Sequence, residues 1–275
     1  MVPSYPSEIE ESNAQFYGVW KTMARKFACN ETSESPGVSI SWPGAKWPIL
    51  NVVGLSSPVM DHADLEAKIQ QAVGFTQTKP VMGMVVACTE WLPKGRAGKN
   101  AAAFAAHGLA PALSLRGMVA DRLLRPQRTL PDLEFRRVAS PETSRALVDL
   151  NAISYDAPLE FGREISDIAN FWDGVFAYVG YREGQAVTAA ATFLENGRLY
   201  VGFVATLPEA RRNGYAEAVM RHSLEAAARS SGLSRSVLHA TEAGCPVYEA
   251  MGYRQVAHFQ AYLPQAIVKG MSNPA

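Results

Sequence analysis

In the second half of the chain the apolar positions form short runs whose period switches several times. Leu133-Glu134-Phe135-Arg136-Arg137-Val138 alternates apolar and charged residues, the period of a half-buried strand. Ser140-Pro141-Glu142-Thr143 then predicts a helix start, with serine at the N-cap, proline first in the helix and threonine where glutamate would complete a capping box. Ala146, Leu147, Leu150 and Ile153 supply its apolar stripe. Phe176–Tyr181, Ala186–Leu194 and Arg198–Thr206 read as strands, turned at Arg182-Glu183-Gly184-Gln185 and at Glu195-Asn196-Gly197. Asn-Gly between two such runs is a strong hairpin signal, because both residues tolerate positive φ. Gly214–Ser230 carries Ala216, Val219, Met220, Ser223 and Ala227 on one helical face, with Gly232 as its stop. Ser236–Thr241 is a predicted strand, Pro246–Met251 a short helix and Gln255–Leu263 a last strand. This order of elements is that of a mixed α/β layer of the α+β type.

The first half is less regular. Asn13–Phe27, Asp64–Val73 and Ala101–His107 look helical, the last ended by Gly108, while Ser39–Trp42, Ile49–Gly54 and Val81–Ala87 look like strands. Trp42, Trp47 and Trp91 read as core or lid anchors. Between the halves, Arg125-Pro126-Gln127-Arg128-Thr129-Leu130-Pro131-Asp132 suits an exposed connector. The expected division is therefore residues 1–130 and 131–275.

Composition narrows the function. The 275 residues include 26 basic and 26 acidic side chains and are 48% hydrophobic, which supports a substantial core and argues against disorder. Zero net charge without a long basic run argues against a nucleic-acid partner. Cys29, Cys88 and Cys245 lie far apart, with neither zinc spacing nor a disulfide framework, so no metal is expected and the compartment reads as reducing. Residues 1–8 lack the basic start and apolar core of a signal peptide. His107, Gly108 and Pro111 interrupt the longest apolar stretch, short of the roughly 20 residues that span a bilayer. The expectation is a cytoplasmic protein without a membrane partner. Gly95-Arg96-Ala97-Gly98-Lys99-Asn100 lacks the spacing and the Ser/Thr of a phosphate loop.

The chemically informative stretch is Val204-Ala205-Thr206-Leu207-Pro208-Glu209-Ala210-Arg211-Arg212-Asn213-Gly214-Tyr215-Ala216. An apolar strand ends, a proline-containing turn follows, and Arg-x-x-Gly-x-Ala opens a helix. Backbone N–H groups without intrahelical acceptors coincide there with the positive end of the helix dipole, a receptacle for a pyrophosphate. Gly214 has no Cβ to hold a phosphate away, small Ala216 allows the same approach, and Arg211 and Arg212 could add charge-assisted contacts. The spacing alone fits an ordinary strand-to-helix turn equally well.

This arrangement resembles motif A of the GNAT superfamily of N-acetyltransferases, whose signature is Arg/Gln-x-x-Gly-x-Gly/Ala after a strand. Thr241-Glu242-Ala243-Gly244-Cys245-Pro246-Val247-Tyr248-Glu249-Ala250-Met251-Gly252-Tyr253 looks like that family's motif B. Together the motifs span Leu133 to Leu263, and the pair is far more specific than either alone. Many members have Asn where Thr241 stands and Ala where Gly244 stands.

The resemblance implies a mostly antiparallel central sheet flanked by helices, with the first half a degenerate second copy, giving two tandem domains. It implies acetyl-CoA as donor, its pantetheine paired along Val204, Ala205 and Thr206 and its pyrophosphate held by Arg211, Arg212, Asn213, Gly214, Tyr215 and Ala216. Tyr248 would protonate the departing thiolate as general acid, and a main-chain N–H of the Val204–Thr206 strand would face the oxyanion. The acceptor would be a small-molecule or peptide amine. Glu195, Glu242 and His239 are candidate bases, each with an ordinary structural reading, and Cys245 reads as a small apolar residue rather than a nucleophile. A non-catalytic acyl-CoA-binding regulator is the alternative. The oligomeric state, monomer or homodimer, is left open by the sequence.

Overall fold

A computed structural model describes residues 3–271; Met1 and Val2, part of the N-terminal stretch read above, lie outside it. The first elements are α1 (Glu8–Ala24), β1 (Glu31–Ser35), β2 (Val38–Trp42), β3 (Val52–Leu55), α2 (His62–Gln77), β4 (Met84–Cys88), α3 (Ala97–Ala106) and β5 (Leu109–Ala120). They are followed by β6 (Glu134–Arg137), α4 (Pro141–Ser154), α5 (Leu159–Ser166), β7 (Phe176–Arg182), β8 (Gln185–Glu195) and β9 (Arg198–Thr206). The chain continues with α6 (Tyr215–Ser231), β10 (Ser236–Ala240), α7 (Cys245–Ala250), β11 (Arg254–Pro264) and α8 (Gln265–Met271).

The chain forms two compact units. One comprises Ser7–Gly117 with residues 256–271, the other residues 3–6 with Met118–Gln255. A boundary at 130/131 follows the exposed connector, whereas the compact units change over within β5 and within β11, so each of these strands contributes to both.

In the N-terminal unit β1 pairs with β2 and β2 with β3, both antiparallel; α2 then crosses over so that β4 lies parallel to β3. β11 adds antiparallel to β4. Leu65, Ile69, Ala72 and Val73 of α2 pack with Trp42, Val53, Leu55 and Phe104 in its core. Trp42 and Trp47 are buried, as their apolar neighbours suggest.

The C-terminal unit repeats this order. β6, β7, β8 and β9 are successively antiparallel, and the crossover helix α6 returns the chain to β10, parallel to β9. Val219, Met220, Leu224 and Ala227 of α6 bury against Leu199 and Val201 of β9 and Leu238 of β10. The fold is thus mixed α/β, mostly antiparallel in each unit and flanked by helices. Among the described residues, no helix is long and apolar enough to cross a membrane.

Local chemistry explains the boundaries. Asn196 and Gly197 both take positive φ, +44° and +69°, and close the β8–β9 hairpin. Thr143 completes the capping box of α4 in place of glutamate: its backbone N–H donates to Ser140 Oγ, and its Oγ1 accepts from the Ser140 backbone N–H, both at 3.2 Å. Gly232 caps α6 in the left-handed region at φ +74°. Arg163 and Glu164 lie within α5, and Arg163 grips Asp149 of α4 with two hydrogen bonds of 2.9 and 2.8 Å.

Candidate active site

The β9 strand is interrupted where chemistry was expected. Ala189 pairs with Ala205 and Ala191 with Gly202, so Phe203 and Val204 together face the single residue Ala190. Phe203 takes φ +52°, and the result is a β-bulge that re-aims main-chain groups. Helix α4 braces it: Asn151 Nδ2 donates to Phe203 O at 3.2 Å and Ser154 Oγ to Thr206 O at 3.3 Å. On the other edge, β9 pairs with β10 from Leu199–Ser236 to Val201–Leu238, while both strands run on, β9 to Thr206 and β10 to Ala240. The two strands part, and the edge from Gly202 to Thr206 faces the gap.

The chain then turns through Pro208–Ala210 into α6. Arg212 and Gly214 both take positive φ, +66° and +81°. Gly214 is the N-cap and provides no side-chain acceptor, so the first N–H groups of α6 are left to outside partners. Asn213 Nδ2 stabilises the turn by donating to Ala210 O at 3.1 Å and Arg211 O at 3.2 Å. Arg211 and Arg212 are exposed, and Arg211 Nε reaches back to Thr206 O at 3.4 Å. Tyr215 can offer the turn only its main chain. Its ring is buried with Leu133, Val187 and Ala218, and its hydroxyl accepts from Arg182. Ala216 is half-buried in the first turn of α6.

Tyr248 sits on the short helix α7. Its ring packs against Gly244, where an added Cβ would lie 3.0 Å from Cε2, and edge-on to Tyr253 at 6.1 Å between ring centres. Glycine in place of the family's alanine thus gives the ring its room. Burial is the main cause of a raised Tyr248 pKa, with Tyr155, Tyr253 and Cys245 adding to it. The Tyr200 hydroxyl of β9 is raised too, by burial first and then by Tyr155 and Tyr248. Tyr155, at the end of α4, and Tyr200 therefore gather with Tyr248, a convergence invisible in sequence because the three lie on different elements.

The candidate bases fare unequally. His239 of β10 is pushed down to about 3 by burial, and its neutral Nδ1 lies 3.2 Å from the Tyr200 hydroxyl, over whose ring it stacks. Glu195 flanks the hairpin turn, about 16 Å along β9 from the bulge at ~3.3 Å per residue, and Glu242 is exposed just before α7. Cys245 is buried with Sγ donating to Thr241 O at 3.4 Å, the behaviour of a small structural residue.

The corresponding place in the N-terminal unit is filled. β3 and β4 pair from Val52–Met84 through Leu55–Ala87. The Tyr17 ring lies where a Gly54 side chain would stand, and its hydroxyl lies 3.1 Å from Leu55 O and 3.4 Å from Val86 O, tying the two strands together. The start of α2 carries its own anions: Asp61 caps Asp64 N at 2.9 Å, and Asp64 accepts from Met60 N and Lys68 Nζ, each at 2.9 Å.

Comparison with known proteins agrees with this geometry. Residues 145–253 match the model of the acetyltransferase (GNAT) family. The C-terminal unit thus carries an acetyltransferase domain. The match, confined to residues 145–253, is to the GNAT family and points to acyl-CoA-dependent acetyl transfer as the class of chemistry. A GCN5-related N-acetyltransferase from Kribbella flavida shares the fold with a TM-score of 0.67 at 18% identity, covering 93% of this chain and 95% of that one. One from Sphaerobacter thermophilus aligns with a TM-score of 0.57 at 14% identity over 82% of this chain and 76% of its own. A tandem GNAT protein from the clavulanic acid biosynthesis pathway aligns at 0.52 and 13% identity over 96% of both. At these identities the likeness concerns the fold, and it extends over both units. No curated protein matches the sequence.

Proposed function

We propose that residues 131–275 bind acetyl-CoA and transfer its acetyl group to a primary amine by direct attack. The carrying observation is the bulged strand β9, parted from β10 and running into the glycine turn at Gly214, within a domain that matches the acetyltransferase family. The open edge at Val204, Ala205 and Thr206 supports pairing with the pantetheine amides, in the manner of an added strand. The N–H groups of Asn213, Gly214, Tyr215 and Ala216, with Arg211 and Arg212, support the pyrophosphate.

In the transfer the acceptor nitrogen forms a bond to the thioester carbonyl carbon. The resulting oxyanion faces a main-chain N–H of the bulge. Collapse breaks the carbon–sulfur bond, the sulfur takes the Tyr248 proton, and the nitrogen loses its own proton to solvent or an ordered water. The raised pKa of Tyr248 keeps that proton in place before the step. Gly214→Glu should abolish acetyl-CoA binding by calorimetry; undiminished affinity would refute the site. The alternative, a non-catalytic acyl-CoA-binding protein, draws support from His239 being pushed so low that it is a weak base. Release of coenzyme A thiol against a panel of amines separates the two, since a binder releases none.

A further inference from the structure

We propose that Arg128, in the connector before β6, is a direct contact for a phosphate of the acyl-CoA donor; this rests on the donor reading of the Gly214 turn. A Cβ built on Gly214 would lie 3.1 Å from Arg128 Nη2 and 3.3 Å from both Cζ and Nε. The guanidinium therefore covers the glycine broadly rather than touching it with one atom.

The connector is fixed on both sides of Arg128. Leu124 N donates to Met251 O at 2.9 Å. The Leu124 side chain packs over Gly252, whose φ of +99° and 2.8 Å clearance to Leu124 Cγ admit only glycine. On the far side Leu130 packs with Leu133, Val187, Tyr215 and Ala218, beneath the first turn of α6. Pro126 and Pro131 stiffen the span between. Arg128 is carried across from the end of α7 to the start of α6, both of which belong to the donor site.

Its electrostatic setting asks for an anion. A cation at a helix N-terminus faces the positive end of the dipole and is disfavoured there. Exposed Arg211 and Arg212 add like charge beside it. Among the described residues Arg128 has no carboxylate partner to offset this. A phosphate between the guanidinium and the α6 N–H groups converts every one of these repulsions into a charge-assisted hydrogen bond, with the bidentate geometry that arginine supplies and lysine does not.

The test titrates wild type, Arg128→Gln, Arg128→Lys and Gly214→Glu with acetyl-CoA by calorimetry, with thermal unfolding alongside. Arg128→Gln should weaken binding about tenfold, the loss of one charge-assisted contact. Arg128→Lys should recover part of it, and neither change should lower the unfolding temperature. Repeating the titration with 3′-dephospho-acetyl-CoA names the phosphate: a penalty that persists assigns the pyrophosphate, and one that vanishes assigns the 3′-phosphate. Unchanged affinity in Arg128→Gln, with binding lost in Gly214→Glu, would overturn the Arg128 contact alone. Tighter binding in Arg128→Gln would make the residue an obstruction and overturn it as well. Undiminished binding in Gly214→Glu would instead bring down the donor site itself.

Discussion

Tyr248 and His239 are both half-buried, yet burial prepares them for opposite behaviour. For tyrosine, burial favours the protonated form, so Tyr248 retains its hydroxyl proton beyond the ordinary tyrosine range. Tyr248→Phe keeps the ring against Gly244 and Tyr253 and removes only the proton. Turnover should fall by roughly 100-fold, the lower range for a general acid, while acetyl-CoA affinity changes little. Steady-state kinetics beside calorimetry checks this, and unchanged turnover would make Tyr248 a packing residue. For histidine, burial disfavours the charged form, and His239 is held neutral down to about 3. The unfolded chain takes up that proton near pH 6.5. The stability this residue contributes is therefore present above about pH 6.5 and declines as pH falls toward 3, at up to about 1.4 kcal/mol per pH unit. His239→Gln should unfold at temperatures that differ less between pH 7.5 and 4.5 than those of wild type. A parallel pH dependence in the two proteins would show that His239 is not the group responsible.

Helix α4 links stability to the site at the scale of one element. Its capping box fixes the first turn, and its last turns supply Asn151 and Ser154 to the carbonyls of β9. Ser140→Ala removes the acceptor for Thr143 N and should cost about 1 kcal/mol, lowering the midpoint of thermal unfolding by about 2–4 °C. An unchanged midpoint would mean that the packing of α4 alone sets its start. Elements with strong local signals were legible in sequence: β9 begins and ends where its apolar run and the Asn-Gly turn predict, and α6 lies between Gly214 and Gly232. β1 was not legible, because Glu31–Ser35 is a polar edge strand held by pairing with β2 rather than by burial. β5 was hidden by Pro111 inside an apolar stretch that also reads as helix, and α5 by its brevity. The glycine turn could be read from Arg211, Gly214 and Ala216. The bulge could not, since Gly202-Phe203-Val204 is a continuous apolar run whose irregularity depends on the register with β8 and the brace from Asn151. Arg128 comes beside Gly214, and Tyr155 and Tyr200 beside Tyr248, only through tertiary structure.

Across the whole molecule, the two units share one order of strands and crossover helix but differ at the step that would admit a donor. In the C-terminal unit the parallel pair opens beyond Val201 and Leu238, and the following helix begins at an uncapped glycine flanked by arginines. In the N-terminal unit the parallel pair stays closed through Leu55 and Ala87, buried Tyr17 bridges its carbonyls, and at the start of α2 Asp61 holds the Asp64 N–H while Asp64 holds the Met60 N–H. Two carboxylates at a helix N-terminus satisfy its dipole and repel a second anion, so a pyrophosphate there would have to displace both. On the proposed reading, a fold repeated twice therefore provides one donor site. Calorimetric titration of the full chain with acetyl-CoA should give one equivalent bound per chain, and Gly214→Glu should remove all of the binding heat rather than half. A stoichiometry of two in wild type, or a remaining equivalent in the variant, would mean that the Tyr17 bridge and the aspartate cap open readily enough to admit a second donor.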